Sequence, residues 1–271
     1  MMRALYTAAS GMRAQQTNVD NISNNIANVN TTAFKSQKTE FKSLLYQTIQ
    51  TRTTSANGEE KPIGAQVGLG TRVASNTTSY TQGALLEDES KSAFAIEGNG
   101  FFQVRGADGT TYYTRNGNFN WSIGPTGTTL TNTDGYPVLD SNGKAIVLPN
   151  NVNSASATVT NDGQVGYYNN AGAYVNLNQT IGLFQFNNPS GLEKAGSNLL
   201  RVTNASGAAL NEATNANLTR SKIHQGYLEG SNVQVADEMV NLIVAQRAYQ
   251  LNSKAITTSD DMLEQANNLK R

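Results

Sequence analysis

Both ends of this 271-residue chain carry apolar residues at heptad spacing, with no proline to interrupt them, and such a pattern demands a covering partner. Over residues 1–29, Leu5, Ala8, Met12, Val19, Ile22, Ile26 and Val29 follow in steps of three and four, with Gln15 filling the one polar slot. That spacing lays a single stripe along a helix. Over 231–267, Val235, Met239, Leu242, Tyr249, Ile256 and Leu263 fall near the same period, and Val240, Ile243, Leu251 and Met262 widen the face. Ser231 or Asn232, after Gly230, is placed to cap this second helix. Neither helix can bury its stripe alone, and isolated helices of this kind are marginal in water. The two ends are therefore expected to pair with each other and with neighbouring copies, and to be poorly ordered in a lone molecule. Periodicity by itself also admits an ordinary amphipathic helix seated on a globular core. The remaining faces of the first helix carry neutral amides (Gln15, Gln16, Asn18, Asn21, Asn24, Asn25 and Asn28), which suits a helix covered on several sides. Gly11 weakens it by about 1 kcal/mol relative to Ala.

Between the helices the pattern changes. The dipeptides Asn99-Gly100, Asp108-Gly109, Asn116-Gly117, Asp134-Gly135, Asn142-Gly143 and Asp162-Gly163 punctuate short runs rich in β-branched and aromatic residues: Phe101–Val104, Thr111–Thr114, Thr128–Thr131, Ala145–Leu148 and Ile181–Phe186. This is the grammar of consecutive β-hairpins. Residues 50–63, with Asn57-Gly58 and Pro62, read as a loop, and Trp121–Leu130 as a variable loop. The expected fold is α+β: N- and C-terminal helices form a coiled-coil-like axial core domain, with an all-β body inserted between them. The layout is an N-terminal axial helix over 1–33, a connecting segment over 34–75, a β-rich body over 76–228 and a C-terminal axial helix over 229–271.

Composition narrows the function. Twenty basic and twenty acidic residues give a formal net charge of zero, so there is no basic stripe for nucleic acid, and nothing opposes self-association. With no Cys, disulfide and thiolate chemistry are excluded. The first ten residues lack the apolar core of a secretory signal, and no stretch approaches eighteen apolar residues, so neither a cleaved signal nor membrane insertion is expected. His224, the only His, lacks companions at metal-ligand spacing and reads as a surface or satisfied residue. Gly98-Asn99-Gly100 precedes a strand-like run rather than a helix, which argues against a phosphate loop. No catalytic residue, cofactor or metal site is expected.

Three segments carry a family resemblance. Asn18 to Thr31, with Asn24-Asn25-Ile26-Ala27-Asn28-Val29-Asn30-Thr31 at its heart, resembles the N-terminal signature of flagellar basal-body rod and hook proteins. Ser231 to Asn241, followed by Gln246-Arg247-Ala248-Tyr249-Gln250-Leu251-Asn252-Ser253-Lys254, resembles the other end of that family. Ile96 to Val104, followed by Tyr113-Thr114-Arg115-Asn116-Gly117, resembles the opening of its β domain. Length and the stretch Phe41–Ile49, followed by Val67-Gly68-Leu69-Gly70, resemble the branch of the family that builds the distal rod. The resemblance implies a structural subunit exported without a cleaved signal by the flagellar export apparatus. It would polymerise as a helical homo-oligomer in the basal body, with other rod proteins and the hook protein as partners. Residues 46–66 would then lock neighbouring subunits and stiffen the shaft. The family signature falls here on Asn24, Asn25, Ala27, Asn28, Phe34, Gln246, Arg247, Tyr249 and Asn252, and the helical stripes become subunit interfaces.

One position departs from the pattern. The family usually has Gly before the Phe that closes the first signature, where this chain has Ala33 before Phe34; a left-handed backbone there would cost Ala about 1 kcal/mol or more. Within the family, a hook protein or a proximal rod protein is the alternative. Outside it, an extracellular β-rich adhesin with a coiled-coil stalk explains the composition but not the two matching ends, and a polysaccharide-degrading enzyme needs an acid cluster that the sequence does not advertise.

Overall fold

The structure, a computed structural model, describes residues 2–50, 64–124, 127–149, 152–169, 173–215 and 217–269. The chain divides into two compact units, one of residues 1–27, 37–78 and 234–271, the other of 28–36 and 79–233.

The first unit contains both long helices, α1 (Met2–Ala27) and α2 (Val235–Asn268), with the strands β1 (Gln37–Ser43), β2 (Tyr46–Gln50), β3 (Ala65–Gly68) and β4 (Thr71–Thr78). β1 pairs antiparallel with β4, and β2 with β3. Backbone bonds from Leu44 N–H to Gly70 O (2.9 Å) and from Leu69 N–H to Leu45 O (3.1 Å) join the two ladders into one ribbon. Each side runs 14 residues, 37–50 and 65–78, or roughly 45 Å of strand. The segment between the first helix and the β body is thus largely a long two-stranded ribbon rather than an irregular connection. Its ladder partners lie 15 (Gln50 and Ala65) to 41 (Gln37 and Thr78) residues apart in sequence, so the pairing is long-range.

The helices meet through small and polar residues. Ala8, Gly11, Ala14, Asn21, Ile22 and Asn25 are the buried residues of α1, and Ala245 and Ser259 those of α2. Gly11 explains itself here: a Cβ at that position would fall 2.8 Å from Nδ2 of Asn252. The local helix propensity lost at Gly11 is exchanged for close approach of the second helix. α2 starts later than expected. Gln234 is its N-cap and makes no side-chain cap bond; the Asn232 amide, one of the two expected caps, accepts from Ser36 N–H (2.7 Å) and donates to Ser79 O (2.9 Å). Asp237 and Glu238 in the first turn face the positive end of the helix dipole instead.

The second unit is all β. Its strands are β5 (Leu85–Glu87), β6 (Phe94–Glu97), β7 (Phe101–Arg105), β8 (Thr111–Thr114), β9 (Phe119–Gly124), β10 (Gly127–Asn132), β11 (Val147–Leu148), β12 (Ala157–Val159), β13 (Gln164–Tyr168), β14 (Tyr174–Thr180), β15 (Leu183–Gln185), β16 (Glu193–Gly196), β17 (Leu199–Arg201), β18 (Leu210–Asn211), β19 (Lys222–Gln225) and β20 (Tyr227–Glu229). The largest sheet has the order β16-β17-β8-β7-β15-β18. Alternation along β7 buries both of its faces. Phe102 and Val104 join Phe94, Ile96, Phe119 and Val165 in the main core, while Phe101 packs with Tyr113, Phe184 and Phe186 in a second. In the segment read as a variable loop, residues 121–124 of β9 pair antiparallel with 127–130 of β10, with Trp121 opposite Leu130.

Four of the six Asx-Gly dipeptides place glycine at positive φ, at Gly109, Gly135, Gly143 and Gly163. Gly117 serves another purpose: a side chain there would collide with the Phe94 carbonyl.

Where the chain enters and leaves this unit, its segments are stitched by buried charge. The Glu229 side chain is fully buried. It holds Lys35 Nζ at 2.7 Å through Oε1 and Arg115 Nε at 2.9 Å through Oε2. Gly83 N–H donates to Oε1 (3.0 Å), and Ala33 N–H to the Glu229 carbonyl (2.7 Å). Ala33 does hold the left-handed backbone that its family position suggested, at φ +57°.

Candidate assembly surfaces

The structure sorts the expected interface residues by exposure. On α1, Ile22 is buried, and Leu5, Met12, Val19 and Ile26 are half-buried; Val29, half-buried, falls past the end of the helix. On α2, Leu242 and Ile256 are half-buried, while Val235, Met239, Tyr249 and Leu263 are exposed. The heptad positions that turn inward on α2 include Ala245, Asn252 and Ser259, so its seam with α1 is thin and poor in apolar residues. Beside that seam, Met239, Val240, Ile243, Val244 and Leu251 share another sector of the helix and stand 55–68% exposed. At about 25 cal/mol per Å², covering these side chains is worth several kcal/mol to whatever covers them.

The amides of the first signature are not equivalent. Asn25 is 1% exposed and acts as a clamp. Its Nδ2 donates to Gln37 O (2.8 Å) and Glu238 Oε1 (3.2 Å), and its Oδ1 accepts from Gln37 N–H (3.0 Å). One side chain thereby ties α1 to the base of the ribbon and to the first turn of α2. Burial raises the Glu238 carboxyl above its ordinary value, against the lowering effect of the Asn25 bond. Asn21 adds a bond to Thr39 Oγ1 (3.0 Å), and Ser10 Oγ accepts from Thr71 N–H (3.3 Å). Asn24 and Ala27 are exposed, Asn28 is half-buried and Phe34 is buried. At the other end Gln246 and Arg247 are exposed, and the half-buried Asn252 lies on Gly11.

The outer ribbon offers a second apolar surface. Leu45, Tyr46 and Ile49 are 60–82% exposed, and Val67 and Leu69 about 40%. A two-stranded ribbon with no covered face is only marginally stable in water. Of the stretch expected to lock subunits, 46–66, residues 46–50 and 65–66 belong to this outer half, and 51–63 lie outside the described residues.

His224 Nε2 lies 2.8 Å from Glu97 Oε2, a hydrogen bond that holds the Glu97 carboxyl below its usual range. Among the described residues, no three His, Cys, Asp or Glu come together to hold a metal ion, and no helix is long and apolar enough to cross a membrane.

Comparison with known proteins matches three stretches to flagellar families. Residues 5–35 match the flagella basal body rod protein family, 95–167 the D1 domain of flagellar hook protein FlgE/F/G, and 224–269 the C-terminal domain of flagellar basal body rod FlgEFG protein. Over its whole length the chain is 44% identical to the whole of flagellar basal-body rod protein FlgG of Borreliella burgdorferi. The chain belongs to the flagellar basal-body rod protein family. Relatives of the same name are 42% identical in Agrobacterium fabrum, over 96% of this chain and 97% of that one, and 40% identical in Bacillus subtilis, over the whole of both. The family is structural, not enzymatic, and its members assemble within the flagellar basal body. Family membership gives the α2 face and the outer ribbon a context that geometry alone leaves unnamed.

The Glu229, Lys35 and Arg115 cluster escaped sequence reasoning. Each is a single charge in a polar neighbourhood, and the partners lie 194 and 114 residues apart.

Proposed function

We propose that this chain is the distal rod subunit of the bacterial flagellar basal body, a helical homopolymer that forms a rigid tubular shaft and carries torque from motor to hook. The observation that carries the reading is the apolar face of α2, Met239 to Leu251, left uncovered by α1. Neighbouring copies cover it in the assembled shaft, and contacts that repeat head to tail without closing produce a tube. Other rod proteins and the hook protein join its ends, and the subunit leaves the cell through the flagellar export apparatus. The stretch 46–66 is the locking element: the exposed Tyr46 and Ile49 within it, flanked by the exposed Leu45 and Leu69, bridge to adjacent subunits and stiffen the shaft. Deleting residues 46–66 tests this. Rods from the deleted chain should be curved or flexible under the electron microscope; straight, stiff rods would remove the locking role.

A further inference from the structure

We propose that residues 28–36 form a strap over the β unit, latched by Glu229, so that the strap and the chain's exit segment dock and release as one. The geometry is confined to that unit. Glu229 is fully buried, and both of its carboxylate oxygens are occupied, one by Lys35 Nζ (2.7 Å) and Gly83 N–H (3.0 Å), the other by Arg115 Nε (2.9 Å). Lys35 Nζ also donates to Thr81 O (2.8 Å), and Arg115 Nη1 donates to the carbonyls of Gly98 (2.9 Å) and Gly100 (3.2 Å). One carboxylate thus gathers the strap, the 81–83 segment, the loop around residues 98–100 and the exit segment. Asn232, three residues on, repeats the pattern. Its N–H donates to Phe34 O (3.3 Å), its Oδ1 accepts from Ser36 N–H (2.7 Å), and its Nδ2 donates to Ser79 O (2.9 Å) and Thr81 Oγ1 (2.9 Å).

Charge makes the closure concerted. With the exit segment undocked, Lys35 and Arg115 would bury two cations without an anion, a state far less favourable than leaving Lys35 in water. Without the exit segment, the strap's own bonds to the unit, Thr32 Oγ1 to Asn116 Oδ1 (3.2 Å) and Asn198 Nδ2 to Thr32 O (3.0 Å), have to offset that charge cost, and two neutral bonds do not. The apolar core does not share this dependence: Phe94, Phe102, Phe119 and Val165 are buried among themselves. Opening of the latch accordingly frees 28–36, 79–84 and 229–233 together and leaves β7 and β8 paired.

Hydrogen exchange on the full chain, read by mass spectrometry, tests the latch. Glu229→Gln should speed exchange in all three segments together by roughly 150- to 5,000-fold, the range expected when one partner of a buried ion pair is removed, with 101–105 and 111–114 unchanged. Acceleration in one segment alone, or equally across the unit, would overturn the proposal. Should that variant fail to fold, the unaltered chain in low denaturant decides. The three segments should then exchange through one common opening below the global transition, and three separate openings would sink the idea.

Discussion

Ala33 sits in the left-handed region with its methyl buried, a conformation that costs an L-residue about 1–2 kcal/mol. Ala33→Gly relieves that cost and loses the burial of one methyl, worth about 0.8 kcal/mol. Gly also gives the unfolded chain more freedom, worth about 0.4–1 kcal/mol, so the terms nearly cancel and stability in urea unfolding should change by less than about 1 kcal/mol; a larger loss would refute the account of this turn. Glu229 makes the chain acid-sensitive. Burial pushes its carboxyl up, but the charges of Arg115 and Lys35, with bonds from Lys35 and the Gly83 N–H, prevail and hold it below the ordinary 4.5. A depressed carboxyl contributes stability above its unfolded value, and that contribution is lost as pH falls through the folded one. The β unit should therefore weaken with acid below about pH 4.5, and Glu229→Gln should flatten that part of the acid curve. An unchanged slope in the variant would place the acid sensitivity elsewhere.

At the scale of elements, Asn25 and Ile243 belong to opposite regimes. Asn25→Ala leaves the Gln37 N–H and carbonyl without their partner and should cost about 1–3 kcal/mol, with faster exchange at 37–39 and at their ladder partners 76–78. Ile243→Asp touches only an exposed face, so the lone molecule should keep its helix content by circular dichroism while losing the ability to assemble. Full assembly by the Ile243 variant would show that this face does not carry the contact. The contrast also marks how far the sequence could be read. Heptad spacing located both helices to within a few residues, and Thr111–Thr114 coincides with β8, because period and turn chemistry are local signals. The ribbon over 37–50 and 65–78 escaped because its pairing is long-range and its strands are mostly polar on both faces. Which stripe residues meet in the seam between the helices was not legible either. Periodicity ranks the large apolar residues, whereas close approach selected Gly11, Ala14 and Ala245 for the seam and left Met239 and Val240 outside. The Asn25 clamp lay within a recognised signature, yet only geometry separates it from its neighbour Asn24.

At the scale of the whole molecule, uncovered apolar side chains on α2 and on the outer ribbon belong to a chain of zero formal net charge, so no long-range repulsion resists their burial by sister molecules. Both surfaces lie in the unit that contains the chain's two ends, which is where a polymer built on those ends would need them. Electron microscopy of the purified full-length protein over a rising concentration series tests this most directly. Straight, unbranched tubes should form above a threshold concentration; particles that stay single at every concentration, with both helices fully ordered, would contradict it.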